Sequence, residues 1–137
     1  MSNSDEQHWQ QRLNNLGTAF VQLTDVCERE WYDNLELAGL IKTFKFCFGL
    51  SWNVLEDLFL YEEYDAKVPR AVICKSFDVD YIDESDCETL LDALDKRDLL
   101  SHVYLSDVAR EAEVLIKGHY YPVLLRLHQN LDARRTQ

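Results

Sequence analysis

The strongest constraint on the fold is a set of apolar residues near the N-terminus that recurs at steps of four and three. Its members are Trp9, Leu13, Leu16, Phe20, Leu23 and Cys27. Because an α-helix turns by about 100° per residue, this spacing puts all six side chains on one stripe of a helix. Polar residues fill the other face, so the pattern predicts a helix from about Asp5 to Trp31 that packs in a bundle.

The next two segments are also predicted to be helical. A helix from about Leu35 to Tyr64 carries a wider apolar stripe, which indicates packing on two sides, and its glycines, Gly39 and Gly49, suggest close helix approach. Proline suits the first turn of a helix, so Pro69 to Phe77 is predicted as a short helix. Its inward residues would be Val72, Ile73 and Phe77.

Two further helices complete the prediction. The sequence Ser85-Asp86-Cys87-Glu88 has the form of a capping box and would open a helix that ends around Asp98. A last helix would begin at Ser106-Asp107 and continue to Leu131. Gly118 and Pro122 predict a kink in it, since proline removes one internal hydrogen bond.

The predicted fold is therefore all-α: an antiparallel four-helix up-and-down bundle with one extra short helix. The chain has only four glycines and two prolines. We expect one domain over residues 1–137, with frayed ends at 1–5 and 133–137.

Charge narrows the classes of function. The net charge of −11 argues against non-specific nucleic-acid binding, which needs a basic surface. Acidic residues concentrate between Asp78 and Asp98, either as a solvated surface or as a docking face for a basic partner. No apolar run approaches 18 residues, and the first residues are polar, so we expect neither a membrane span nor a secretory signal.

The spacing of the cysteines indicates the redox state of the cellular compartment in which the protein folds. Cys27, Cys47, Cys74 and Cys87 are widely spaced and each occupies an apolar position of a helical pattern. This suits buried thiols in a reducing cytoplasm. Neither the cysteines nor the histidines have metal-ligand spacing, so we expect no metal and no cofactor.

One stretch combines groups that could do chemistry. Arg97 can bind a phosphate, His102 can transfer a proton near neutral pH, and Tyr104 offers a hydroxyl, with Asp98 and Ser101 between them. On a continuous helix a spacing of five puts Arg97 and His102 about 140° apart. They would converge only if the chain bends at Asp98–Ser101 or if two subunits contribute one residue each. We favour a dimeric site, because a dimer with both motifs in one cleft would also supply enough acid–base groups. The alternative is that both residues merely cap and bridge helices.

Six segments in order along the chain carry a resemblance to a known family. They are Arg12-Leu13, Phe44 to Trp52 with Asp57, Pro69 to Ile73 with Phe77, Arg97 to Tyr104, Ala109 to Glu111 and Tyr121 to Leu124. On these segments the chain resembles, from about Arg12 to Leu131, the nucleotidyltransferase substrate-binding proteins of the HEPN superfamily. It departs from the family at Asp98 and Leu100, where asparagine and a polar residue are usual.

The resemblance implies a HEPN-like four-helix bundle that forms a homodimer and is the partner of a minimal nucleotidyltransferase, a separate chain. It also implies an Arg-x4-His-x-Tyr motif made by Arg97, His102 and Tyr104. In the superfamily such a motif belongs to metal-independent ribonuclease toxins, some of which are neutralised by adenylylation of the tyrosine. The alternative function is a non-catalytic subunit that presents substrate to the nucleotidyltransferase.

Overall fold

A computed structural model describes residues 3–101 and 106–135, and within them every regular element is a helix. Four long helical stretches and one short helix form a bundle, which confirms the all-α prediction. The elements are α1 (Asn3–Cys27), α2 (Asn34–Tyr61), α3 (Pro69–Asp78), α4 (Glu84–Ser101), α5 (Ser106–Leu115), a π-helical segment (Ile116–Tyr120) and α6 (Tyr121–Arg134).

The core lies where α1, α2, α4 and the α5–α6 stretch meet. α1 packs along α2 and also contacts α6, whereas α4 packs against α3, the π segment and α6. The predicted stripe of α1 is buried from Trp9 to Leu23. At the centre of the bundle Phe44 of α2 stacks on Tyr120 of the π segment, with the ring centroids 5.5 Å apart.

The connection between α1 and α2 is held by α5 and the π segment. Arg110 Nη2 donates a hydrogen bond to the carbonyl oxygen of Tyr32 over 2.9 Å, and Lys117 Nζ donates to that of Arg29 over 2.6 Å. α2 then begins with a capping box in which Asp33 accepts from the amide of Glu36 and the Glu36 carboxylate accepts from the amide of Asp33.

The last helix is interrupted as predicted. The amide of Tyr121 donates to the carbonyl oxygen of Ile116, five residues earlier, which defines a π turn. Pro122 stands directly after this turn and has no amide hydrogen to donate. The wider turn lets the helix continue into α6 past the proline.

Both predicted ends of α4 differ from the structure, and α1 ends at Cys27 rather than near Trp31. α4 continues through Ser101 rather than ending near Asp98, so the backbone of Asp98–Ser101 is helical. α4 also begins at Glu84, and the Asp83 carboxylate accepts the amide hydrogen of Asp86 over 2.7 Å. The predicted capping box at Ser85 is therefore wrong, because an aspartate two residues earlier already satisfies the helix start.

Two predicted environments, those of Phe77 and Cys74, are also wrong. Phe77 is 41% exposed, and the inward position in that turn of α3 belongs to Ser76, whose hydroxyl donates to the carbonyl oxygen of Val72. Cys74 is exposed on α3. Gly39 and Gly49 have open space where a β-carbon would lie, so neither serves close helix approach within the described part of this chain.

Candidate functional site

The predicted site lies at the junction of α4 and α5. Arg97, Asp98 and Ser101 belong to the last two turns of α4, and α5 begins at Ser106. His102 and Tyr104 lie outside the described residues. The structure therefore positions the arginine of the motif on a helix end, and the distances from it to the histidine and the tyrosine stay a matter of prediction.

Arg97 occupies a position that the sequence pattern would assign to an apolar residue. Leu90, Ala93, Arg97 and Leu100 follow one another at steps of three, four and three. The other three side chains are buried, and Arg97 is half-buried. An arginine on such a stripe can cover apolar surface with its methylene stem while its guanidinium stays near water. A fixed positive charge is thereby held at the edge of the core, close to the junction.

Three other arginines from the segments that carry the resemblance bind their neighbours in the bundle. Arg12 Nε lies 2.6 Å from Asp57 Oδ2, which ties α1 to α2. Arg70 pairs with Asp95 and ties α3 to α4. Arg110, described above, holds the α1–α2 connection. These three arginines consequently have structural roles.

A second group of polar residues lies on α4, one turn before Arg97. The Tyr120 hydroxyl donates to Asp92 Oδ2 over 2.7 Å, and Lys96 Nζ donates to the same oxygen over 3.2 Å. The hydrogen bond from Tyr120 and the ammonium of Lys96 lower the pKa of Asp92 against the opposing effect of burial. Burial and the neighbouring carboxylate raise the pKa of Tyr120. Asp92 is therefore an ionised acceptor at neutral pH.

Asp92 faces a small cleft between α4 and the π segment. The cleft has a volume of about 270 Å³ and is lined by Glu88, Thr89, Asp92, Leu115, His119 and Tyr120. His119 is exposed in the π segment, so an imidazole and carboxylates border one space. Such a set can exchange protons or bind a polar group. This cleft does not follow from the sequence, because its residues come from helices about 30 positions apart. The Gly118–Pro122 interruption is the one sequence signal near it.

A third polar surface lies at the opposite end of α4. Two adjoining cavities of about 500 and 320 Å³ share Asp80, Tyr81 and Asn130. In the wall of the larger one, the buried Asp86 carboxylate accepts two hydrogen bonds from Arg126, over 2.7 and 3.0 Å.

Part of the acidic stretch from Asp78 to Asp98 is thus neutralised within the bundle, since Asp86, Asp92 and Asp95 each pair with a basic side chain. No group of three or more histidine, cysteine or acidic side chains in the described ranges is arranged to hold a metal ion. None of the helices described there has both the length and the apolar content of a membrane span.

Comparison with known proteins gives matches of two kinds, to a family model and to solved structures. The family model described as nucleotidyltransferase substrate binding protein like matches residues 11–133. The chain is also similar to a crystal structure of a protein from Thermus thermophilus, with a TM-score of 0.74 and 22% identity; the match covers 89% of this chain and 99% of that one. This likeness shows the shared fold.

A search of curated proteins gave no match. The family model covers nearly the whole bundle, including α4 and its junction with α5. The chain belongs to the nucleotidyltransferase substrate binding protein-like family.

Proposed function

We propose that this chain is the helical partner subunit of a two-chain nucleotidyltransferase system in the cytoplasm. The observation that carries the proposal is the family match over residues 11–133, whose name refers to binding the substrate of such an enzyme. The chain has no Gly-rich phosphate loop that would make it a nucleotidyltransferase by itself. The second chain, a small nucleotidyltransferase, would supply the transfer chemistry.

The test is co-expression of this chain with the small nucleotidyltransferase that we propose as its partner. We expect the two proteins to elute together from a size-exclusion column at a fixed ratio. Elution of the two chains as separate species at micromolar concentration would contradict the partner role.

We further propose that the junction residues make the chain a metal-independent ribonuclease with toxin-like activity. Arg97 would stabilise negative charge on the phosphate in the transition state, and His102 would transfer protons. Asp98 and Ser101 would flank the bound RNA. The half-buried position of Arg97 on the apolar stripe of α4 favours this role, because it holds a permanent charge in a restricted place.

This activity is tested by RNA degradation with the purified chain alone. We expect His102→Ala to lose at least about a hundredfold in rate, the usual contribution of a general acid or base. The matched control is His8→Ala, since His8 lies on α1 beside Asp57. Equal rates for the wild type and His102→Ala would remove the ribonuclease proposal.

Tyr104 would be the residue through which the partner neutralises this activity, by accepting an AMP group from ATP with release of pyrophosphate. Intact mass after incubation with ATP and the partner enzyme should increase by one AMP in the wild type and remain unchanged in Tyr104→Phe. Tyr64→Phe, a change on an exposed tyrosine of the α2–α3 connection, should keep the modification. Modification of Tyr104→Phe would contradict this role.

The alternative is a non-catalytic subunit that presents substrate to the nucleotidyltransferase. The polar cavities around Asp92 and Asp86 favour it, since they offer hydrogen-bonding groups away from the junction. In that case a stable complex would form, and His102→Ala would affect neither RNA nor growth.

We also propose that the chain forms a homodimer, as the family resemblance implies. Sedimentation equilibrium of the purified chain at a concentration on the order of 100 μM should give twice the mass of one chain, since weak homodimers associate in that range.

A further inference from the structure

The connection between α1 and α2 presents a tryptophan to solvent. Trp31 is 71% exposed, although tryptophan side chains are highly buried on average. The next residue, Tyr32, is fully buried. The exposed indole consequently stands directly beside a residue that is anchored in the core.

Contacts on both sides of Trp31 hold the backbone of this connection in place. Arg110 binds the carbonyl oxygen of Tyr32, and Lys117 binds that of Arg29. The Lys117 ammonium also lies over the Tyr32 ring, 4.9 Å from its centroid. A large aromatic side chain on a backbone that is already fixed loses little conformational freedom on binding, which suits an anchor of an interface.

The same two contacts place an exposed valine alongside the tryptophan. Val114 lies four positions after Arg110 and three before Lys117, so the three residues share one face of the helix. Because Arg110 contacts one end of the segment 29–32 and Lys117 the other, Val114 lies alongside the middle of it. Val114 is 65% exposed. Trp31 and Val114 thus form one apolar surface, which we call the Trp31 patch.

Carboxylates surround the Trp31 patch. Residues 25–33 include four acidic residues and one basic residue, Arg29. Arg29 pairs with Glu36, whereas no side chain of the described ranges pairs with the carboxylates of Glu28 and Glu30. The patch therefore combines an apolar centre with uncompensated negative charge. Its complement is an apolar pocket bordered by lysine or arginine.

The Trp31 patch lies at the end of the bundle where the nucleotidyltransferase would act. Arg110 is four positions past Ser106, so its contact with the connection lies about 6 Å along the helix from the start of α5. Tyr104 precedes Ser106 by two positions, and two residues span at most about 7 Å. A protein whose active site reaches the Tyr104 hydroxyl therefore also reaches the patch.

We propose that the Trp31 patch is the docking surface for the nucleotidyltransferase partner, with the indole of Trp31 inserted into an apolar pocket that basic residues of the partner border. This inference rests on the partner role proposed above and adds the surface through which the two chains bind. Docking there would hold the active site of the partner next to Tyr104.

Two other occupants fit the Trp31 patch less well. RNA has a negatively charged backbone, which the carboxylates of Glu28 and Glu30 would repel. In a two-fold symmetric contact between copies of this chain, a surface meets its own copy, so the same carboxylates would face each other. A partner protein with a basic rim meets neither repulsion.

The first experiment measures the affinity of the full chain for the small nucleotidyltransferase by calorimetry. Trp31→Ser should weaken binding by at least about thirtyfold, the effect of losing an aromatic anchor. Phe46→Ser is the matched control, because Phe46 is 60% exposed in the middle of α2, outside the patch; it should bind as the wild type does. Both side chains are mostly exposed, so both variants should keep the wild-type circular dichroism spectrum.

The second experiment tests the charge around the patch. The variant with Glu28→Gln and Glu30→Gln should associate about threefold more slowly than the wild type at low ionic strength, because opposite charges accelerate the encounter. The control with Glu63→Gln and Asp65→Asn removes two charges at the other end of α2, and it should slow association less. Equal slowing of the two double variants would mean that only the total charge matters, and would overturn the proposed position of the interface.

The outcomes separate this inference from the proposal on which it rests. Failure of the wild type to bind the nucleotidyltransferase would overturn the partner role and the docking surface together. Binding by the wild type and equally tight binding by a folded Trp31→Ser variant would overturn the docking surface alone. If Trp31→Ser, without the partner, abolished a dimer that the wild type forms or slowed RNA degradation, the patch would belong to a second copy or to RNA, and the proposal would also be overturned.

Discussion

His128 of α6 packs against α1, where its ring stacks on Phe20 with the centroids 5.3 Å apart. Burial lowers the pKa of His128, opposed in part by Asp132 and reinforced by Arg135. The folded state disfavours the protonated ring. The contribution of His128 to the free energy of unfolding is therefore fully present above the ordinary histidine pKa of about 6.5, and it decreases as the pH falls through and below that value.

We therefore expect the thermal unfolding midpoint to fall between about pH 7.5 and pH 5 in the wild type, and to fall less in His128→Gln. The exposed His119 provides the control, since His119→Gln retains His128 and should follow the wild-type profile. Parallel profiles for the wild type and His128→Gln would show that His128 does not cause the acid sensitivity.

Asp86 shows how burial determines the contribution of an ion pair to the free energy of unfolding. Its side chain is 8% exposed and accepts two hydrogen bonds from Arg126, which is itself 54% exposed. Asp86→Ala should cost about 1–2 kcal/mol of unfolding free energy, less than a fully buried pair because water can still solvate the arginine.

The comparison for Asp86 is Asp95, whose pair with Arg70 is exposed on both sides, at 62% and 56%. Asp95→Ala should change the unfolding free energy by less than about 1 kcal/mol. Urea unfolding of both variants measures the difference, and an equal cost would mean that burial is not the deciding factor.

At the scale of elements, the N-terminus of α4 is capped by Asp83 and not by the predicted Ser85. Asp83 accepts the amide hydrogen of Asp86, whereas Ser85 lies inside the first turn of the helix. Asp83→Ala should cost about 1 kcal/mol, the usual value of an N-cap. Ser85→Ala should stay within about 0.5 kcal/mol of the wild type. Denaturant unfolding separates the two, and a larger loss in Ser85→Ala would mean that the helix begins at the serine after all.

At the scale of the whole molecule, the cysteines report on global unfolding. Burial raises the pKa of Cys47 to about 12, and the side chain has no exposed surface, whereas Cys74 is exposed. Thiol labelling of the native protein at mildly alkaline pH should modify Cys74 readily. Cys47 should react about 4,000-fold more slowly, because its reaction requires opening of the bundle at a cost on the order of 5 kcal/mol.

Cys74→Ser is the control for this labelling, since it should abolish the fast phase and leave the slow one unchanged. Rapid labelling of Cys47 in the native protein would show that the core around α2 opens locally, without global unfolding.

The sequence by itself determined the helices, their apolar faces and the interruption before Pro122, because these follow from local periodicity and from a missing amide hydrogen. It also led to the family through short motifs such as Arg97 to Tyr104. Only the tertiary structure decided which charged residues of those motifs bind other helices, since Arg12 and Asp57 meet from positions 45 residues apart in the chain. It likewise brought His119 to Asp92 and left Phe46 uncovered, since these environments depend on how separate helices pack, which periodicity within one helix does not specify.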